Sequence, residues 1–192
     1  MKKYQNIQLQ WLEEARIDLP LNGIIQWLEK QNSDTWHVVA TGWNWDHGSD
    51  PLHWIVSQPS CDMGTACYIF FIEASHWVKS LDPSELGHSS YRTGWKTCKK
   101  ISDRWHKNDF NNRSLFPSRE MSGNDYVRSI GLYREREHKS LSSGEGLAWT
   151  VPNYVYDYRG TRVAESDYDF GDGELFENFS KWKTRLGLKD YY

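Results

Sequence analysis

Asp46, His47 and Asp62 are the side chains of this sequence best suited to acid–base chemistry. The first two sit in "WNWDHG" (43–48), a carboxylate beside an imidazole, and the third is near the start of "CDMGTACYIFF" (61–71). Brought into one pocket, such groups could pass a proton to and from a substrate. Trp43 and Trp45 offer another use, because an aromatic cage needs rings on several sides of a cation or a sugar face. Residues two apart diverge on a helix and point the same way on an extended turn. The spacing therefore leaves two readings open, a ligand cage and a plain helix end with core tryptophans. Cys61 falls at an expected helix N-terminus, where the dipole lowers a thiol pKa, but the carboxylate of Asp62 opposes that effect.

A second group of carboxylates lies near the end of the chain. Glu165, Asp167, Asp169, Asp172, Glu174 and Glu177 form an acidic run with no basic residue among them. Asp167 and Asp169 match the first and third positions of a calcium loop. Gly171 stands where the fifth should be acidic, Asp172 replaces the required glycine, and Asn178 replaces the closing glutamate. Calcium is not expected. With Tyr168 and Phe170 interleaved, the run is amphipathic enough to dock into a basic cleft on a partner, or it simply favours the positive end of a following helix.

Other chemistries find little support. Cys61 and Cys67 have no tetrahedral metal spacing, and the seven histidines are scattered. Phosphate-cradling glycine loops and a serine-nucleophile elbow are missing from the sequence. No cofactor or metal is expected.

The elements that would position these groups read as short helices. "LQWLEEARI" and "GIIQWLEKQ" place apolar residues three or four apart. Ser33 or Asp34 is expected to cap a third helix carrying Trp36, Val39, Ala40 and Trp43 on one face, stopping at Gly42. Asp50 and Pro51 supply a cap and a proline at the first helical position for Leu52, Ile55 and Val56. Asp62 is placed to cap the next helix, which is apolar nearly all round and so is expected at the centre. Over residues 90–108, Tyr91, Trp95, Cys98, Ile101 and Trp105 share a stripe, and Lys96, Lys99, Lys100, Arg104 and Lys107 decorate the rest. Without stacking aromatics among them, these cations read as a solvated face and not as a nucleic-acid surface.

Beyond "NRSLFPSREMSG", residues 124–138 predict a helix weakened by Gly131, and "SLSSGEG" (140–146) predicts a linker. The period then changes to two. Tyr154, Tyr156 and Tyr158 alternate with Val155 and Asp157, and Arg159-Gly160 is expected to turn a hairpin spanning 153–165. Leu175, Phe176, Phe179, Trp182 and Leu186 predict a closing helix over 172–186. The expected fold is mainly α, a bundle or solenoid-like stack of short helices with a small C-terminal β-hairpin and closing helix. The expected units are a helical domain over 1–140 and a hairpin–helix subdomain over 147–192 packed on it.

Composition narrows the setting. The 192 residues can bury a core without disulfides or metals. No run of about 18 apolar residues spans a membrane, and "MKKYQNIQLQWLEE" has no apolar secretion signal. Three cysteines suit reduced thiols in a cytosol. Charge is unevenly spread: residues 1–91 carry −6, residues 92–139 carry +6 and residues 140–192 carry −3. Such polarity fits surfaces that pack together or a face offered to a charged partner.

"WNWDHG" and "CDMGTACYIFF", with a helix ending in "WHKNDF" and then "SLFP", resemble a bacterial family of unknown function. Its members share an Asn-Trp/Tyr-Asp-x-Gly turn and a Cys-Asp-x-Gly-Thr-Ala helix start, and the similarity covers about residues 35–117. The resemblance implies a helical protein of the cytosol, encoded near secreted toxins, with an immunity role. No catalytic residues come with it. The expected function is that of an immunity-type protein that binds a cognate toxin by occlusion, using Glu165, Asp167, Asp169, Asp172, Glu174 and Glu177. The alternatives are an enzyme using Asp46, His47 and Asp62, and an aromatic-rich ligand- or sugar-binding module. A toxin-like reading frame immediately upstream would favour the first, and a metabolic operon the other two.

Overall fold

A computed structural model describes residues 20–43, 45, 49–74, 89–118 and 124–166. Seven helices occur among them: α1 (Pro20–Leu28), α2 (Ser33–Thr41), α3 (Asp50–Ser57), α4 (Met63–Glu73), α5 (Ser89–His106), α6 (Asn124–Ser143) and α7 (Asn153–Tyr156). The central helix is α4, as its sequence requires. Met63 to Cys67, Ile69, Phe70 and Phe71 are all buried, and α2, α3, α5 and α6 each pack on it. A helix apolar on every side is stable in water only when it is enclosed in this way.

The core is rich in rings. Phe70 meets Trp105 at 4.7 Å between centroids and Tyr133 at 5.4 Å, and Phe71 meets Tyr126, Tyr133 and Tyr156. Most of these pairs are tilted or edge-on, the arrangement that ring quadrupoles favour. Trp149, Val151, Val155 and Tyr156 belong to this same core. The described part of the chain after the glycine-rich stretch is thus packed on the helical body.

The helix caps follow simple chemistry, with some changes of residue. Asn32 caps α2, its side chain accepting from the Thr35 N–H at 2.9 Å, where Ser33 or Asp34 was expected. Asp34 lies in the first turn and does something else, described below. Helix α3 has proline in its first turn as expected, with Ser49 as the flanking residue. Helix α6 runs five residues past the predicted end at His138, through "SLSS", and Gly131 does not interrupt it. Ser140 explains the extension. It is buried, its hydroxyl donates to the Gly146 carbonyl at 2.6 Å, and Gly144, at φ 75°, then ends the helix. The predicted linker is therefore half helix.

The predicted β-hairpin is wrong. No strand forms among the described residues, and 153–165 does not fold back on itself. Asn153–Tyr156 makes one helical turn after Pro152, and the three alternating tyrosines go to three places. The Tyr154 hydroxyl donates to the Trp105 carbonyl, the Tyr156 hydroxyl to Glu137, and the Tyr158 hydroxyl to the Leu115 carbonyl. Side chains with separate partners create a period of two without a ladder. Gly160 does take the left-handed backbone a turn needs, φ 70°, but the chain beyond it meets Leu115 through a single parallel bridge at Arg162. The predicted helices over 9–17 and 172–186 lie outside the described residues.

Candidate functional site

Asp62 is the one member of the proposed acid–base group whose surroundings are described; Asp46 and His47 lie outside the described residues. Its backbone is extended, φ −73° and ψ 144°, and it caps α4 as expected, Oδ1 accepting from the Gly64 N–H at 2.7 Å. The carboxylate also reaches across to the loop after α5. Oδ2 accepts from the Ser114 N–H at 2.9 Å and from the Ser114 hydroxyl at 3.2 Å, and Oδ1 from the Leu115 N–H at 3.3 Å. The Tyr158 hydroxyl lies 3.5 Å from Oδ1 and 3.2 Å from the Leu115 carbonyl. Asp62 is 2% exposed. Its lone pairs are taken up by the fold, in the manner that makes a buried carboxylate tolerable.

Two glycines complete this junction. A Cβ on Gly64 would stand 2.1 Å from the Leu115 carbonyl oxygen, and one on Gly160 would stand 2.3 Å from it. The Leu115 peptide is thus held between them, its N–H on Asp62 and its oxygen against two bare α-carbons. Parallel bridges Asp62–Asn112 and Leu115–Arg162 tie the three segments together. The Cys-Asp-x-Gly stretch is therefore a docking point for residues 112–116.

The thiol of Cys61 is buried, and burial pushes its pKa up to about 12, with Asp62 adding to the rise and Arg104 opposing it. At neutral pH it is a thiol and a poor nucleophile. Cys67 and Cys98 are also free, buried and raised well above the ordinary thiol value by burial. Among the described residues no group of three His, Cys, Asp or Glu side chains is placed to hold a metal.

Most of the acidic run is not covered by the structure. Asp167, Asp169, Asp172, Glu174 and Glu177 lie outside the described residues, and Glu165 is exposed. The backbone leading to the run is fastened by Asp34. Arg162 grips that carboxylate with both terminal nitrogens, Nη1 to Oδ2 at 2.5 Å and Nη2 to Oδ1 at 2.9 Å, and the Glu165 N–H donates to Oδ2 at 2.7 Å. The Arg162 hydrogen bonds hold the Asp34 carboxyl below its ordinary value of 3.8, against the opposing effect of burial. A depressed carboxylate contributes stability above its unfolded pKa and loses it as pH falls through the folded one. The stability difference between the wild type and Arg162→Met is therefore expected to be constant near neutrality and to close as pH falls below 3.8. Urea melts at a series of pH values measure it, and a difference that persists at the acid end would contradict the pairing.

The basic helix α5 is not solvated all round. Arg104, expected among the surface cations, is 6% exposed and turned inward. Its guanidinium donates to the carbonyls of Val56, Gln58 and Asp109 at 2.6 to 3.1 Å and lies 4.1 Å from the Phe110 ring centre. It thereby satisfies carbonyls at the C-terminal end of α3, where a cation suits the dipole. The inward turn answers to carbonyls of another helix, which the local pattern of α5 does not announce.

Beside Arg104 an open cleft of about 470 Å³ lies between the end of α3 and the outer face of α5. Ser57 and Pro59 form one side, and Trp95, Lys96, Lys99, Lys100, Asp103 and Lys107 the other, with Asp109 at the edge. Lys99 pairs with Asp103 at 2.5 Å. Among the described residues Lys96, Lys100 and Lys107 have no carboxylate within ion-pair distance. His53 is close by, its Nδ1 3.1 Å from the Thr97 hydroxyl, and its pKa is lowered by burial and then by Lys100. Sequence reading found these lysines and missed the concavity, because the wall at Ser57 and Pro59 comes from another helix.

Residues 31–106 match a family described as Domain of unknown function (DUF4274), which covers α2 to α5. No curated protein and no solved structure matches the chain. The matched stretch ends before Asn112, Ser114 and Leu115, so the junction around Asp62 is closed by residues outside it. No described helix is long and apolar enough to cross a membrane.

Proposed function

We propose that this protein is a bacterial, cytoplasmic immunity-type protein that binds a cognate secreted toxin and neutralises it by occlusion. The observation that supports this reading is the fate of Asp62. The described carboxylate best suited to acid–base work is buried and accepts hydrogen bonds from Gly64, Ser114 and Leu115. The other candidate nucleophile, Cys61, is a buried thiol. Among the described residues the chain instead offers charged surface, which steers partners together and sets their register.

The partner-binding face is the acidic run of Glu165, Asp167, Asp169, Asp172, Glu174 and Glu177, which meets a basic toxin surface. Six carboxylates without an intervening cation repel one another until a basic surface offsets that repulsion. The test is to change Asp167, Asp169 and Glu174 to lysine, confirm folding by circular dichroism, and measure protection of cells that express the toxin encoded alongside. Loss of protection with the fold intact is the expected result, with about 2 kcal/mol or more of binding energy lost if a desolvated pair is broken. Full protection at unchanged affinity would remove this face, and turnover by the purified protein would overturn the binding role.

A further inference from the structure

We propose that the cleft between the end of α3 and the outer face of α5 is a docking site for an extended, acidic segment of a partner protein. This proposal rests on the lysine-lined cleft alone and does not depend on the toxin reading. Four lysines line it, at 96, 99, 100 and 107, and three of them lack a carboxylate partner among the described residues. Unpaired cations around a concave surface concentrate the field and attract anions. The ordinary reason for such lysines is solubility, but solubility does not gather them around a cleft with Trp95 and Pro59 in its walls.

The shape and chemistry select the ligand. From Lys96 to the end of α5 at His106 the helix rises about 15 Å, at 1.5 Å per residue, and Lys107 follows at once. That is the length of roughly five residues of extended peptide, far more than a single phosphate or carboxylate fills. The arginine that could grip phosphate with a two-pronged contact is unavailable, since Arg104 is committed to backbone carbonyls. Lysines, which act as point charges, suit scattered carboxylates. Asp103 and Asp109 line the same cleft. They would repel a uniformly charged phosphodiester strand, whereas a peptide can offer them backbone N–H groups. Trp95 and Pro59, with the lysine stems, give apolar area for a side chain between the acids.

The experiment uses the full chain and a fluorescein-labelled peptide of eight glutamates and four tyrosines, followed by fluorescence anisotropy. Saturable binding is expected, weakening with added salt because exposed pairs are screened over about 10 Å at 0.1 M. Lys96→Glu with Lys100→Glu should weaken it at least tenfold. Arg128→Glu with Lys139→Glu, exposed on α6 and equal in charge change, should alter it less than threefold. Circular dichroism checks both variants for folding. Two further probes are the peptide with glutamine in place of glutamate and a twelve-nucleotide single-stranded RNA, and both should bind at least tenfold more weakly. No binding, equal loss in the two variants, or undiminished binding of the glutamine peptide would overturn the proposal. Tighter binding of the RNA, lost on changing Lys96 and Lys100, would also overturn it, assigning the cleft to nucleic acid.

Discussion

Asp62→Ala is expected to cost about 3–5 kcal/mol of folding stability, a large share of what a domain of this size has. Removal of the carboxylate leaves the Gly64, Ser114 and Leu115 N–H groups without their acceptor, at about 1–3 kcal/mol for each one that water cannot reach. Loss of the helix cap is contained within that figure, since the Gly64 bond is the cap, worth typically about 1 kcal/mol by itself. Some relaxation of residues 112–116 towards solvent sets the upper limit. Urea unfolding followed by tryptophan fluorescence reads the change as a shift of midpoint at constant slope. Asp62→Asn sharpens the comparison. An asparagine keeps one accepting oxygen but turns an NH2 towards N–H groups, so it should lose about half as much. A proton-transfer residue would behave otherwise, with the amide retaining the fold. A loss below about 1 kcal/mol for the alanine variant would show that the junction is not the anchor described.

The reach of sequence reasoning follows the range of the interactions. Helices α1 to α5 were legible because caps, prolines and apolar spacing act within a turn or two of the chain. Asp62 was correctly placed as a cap for the same reason. Its bonds to Ser114 and Leu115 span 52 and 53 residues, and nothing in the local pattern announces them. The hairpin failed for a related reason. Alternation of Tyr154, Tyr156 and Tyr158 looks like a pleated face, yet each ring answers to a different distant partner: Trp105, Glu137 and Leu115. Gly160 was read as part of a hairpin turn; it does take positive φ, but its neighbour is the Leu115 carbonyl and not a returning strand. The cleft divides in the same way. Its lysines are visible on α5, while the inward turn of Arg104 depends on the carbonyls at the end of α3. The site residues chosen at 167–177 lie outside the described residues, and the single one inside, Glu165, contributes its backbone N–H to Asp34.

The second large effect is expected at two glycines, with a third as the control. Gly64 is in the first turn of α4, where exchange for alanine would ordinarily add helix stability of about 1 kcal/mol. Here the new methyl would lie 2.1 Å from the Leu115 carbonyl oxygen and 2.9 Å from its carbon, both backbone atoms. No side-chain rotation relieves that overlap, so residues 112–116 must withdraw and the Asp62 contacts must stretch with them. Overpacking costs about 1–3 kcal/mol, and strain passed on to the carboxylate junction should bring Gly64→Ala to the top of that range or beyond. Gly160→Ala meets the same carbonyl from the other side at 2.3 Å and adds left-handed backbone, φ 70°, disfavoured by about 1–2 kcal/mol for an alanine. Gly131 has open space where its Cβ would be and sits within α6, so Gly131→Ala should stabilise the protein by up to about 1 kcal/mol. Urea midpoints for the three variants should therefore fall, fall and rise. The double variant Asp62→Ala/Gly64→Ala separates the causes. If both changes act by releasing residues 112–116, the second should add far less than it costs alone, a coupling of about 0.5–3 kcal/mol. Simple additivity would mean that Gly64 matters to α4 itself, and the docking role assigned to it here would be wrong.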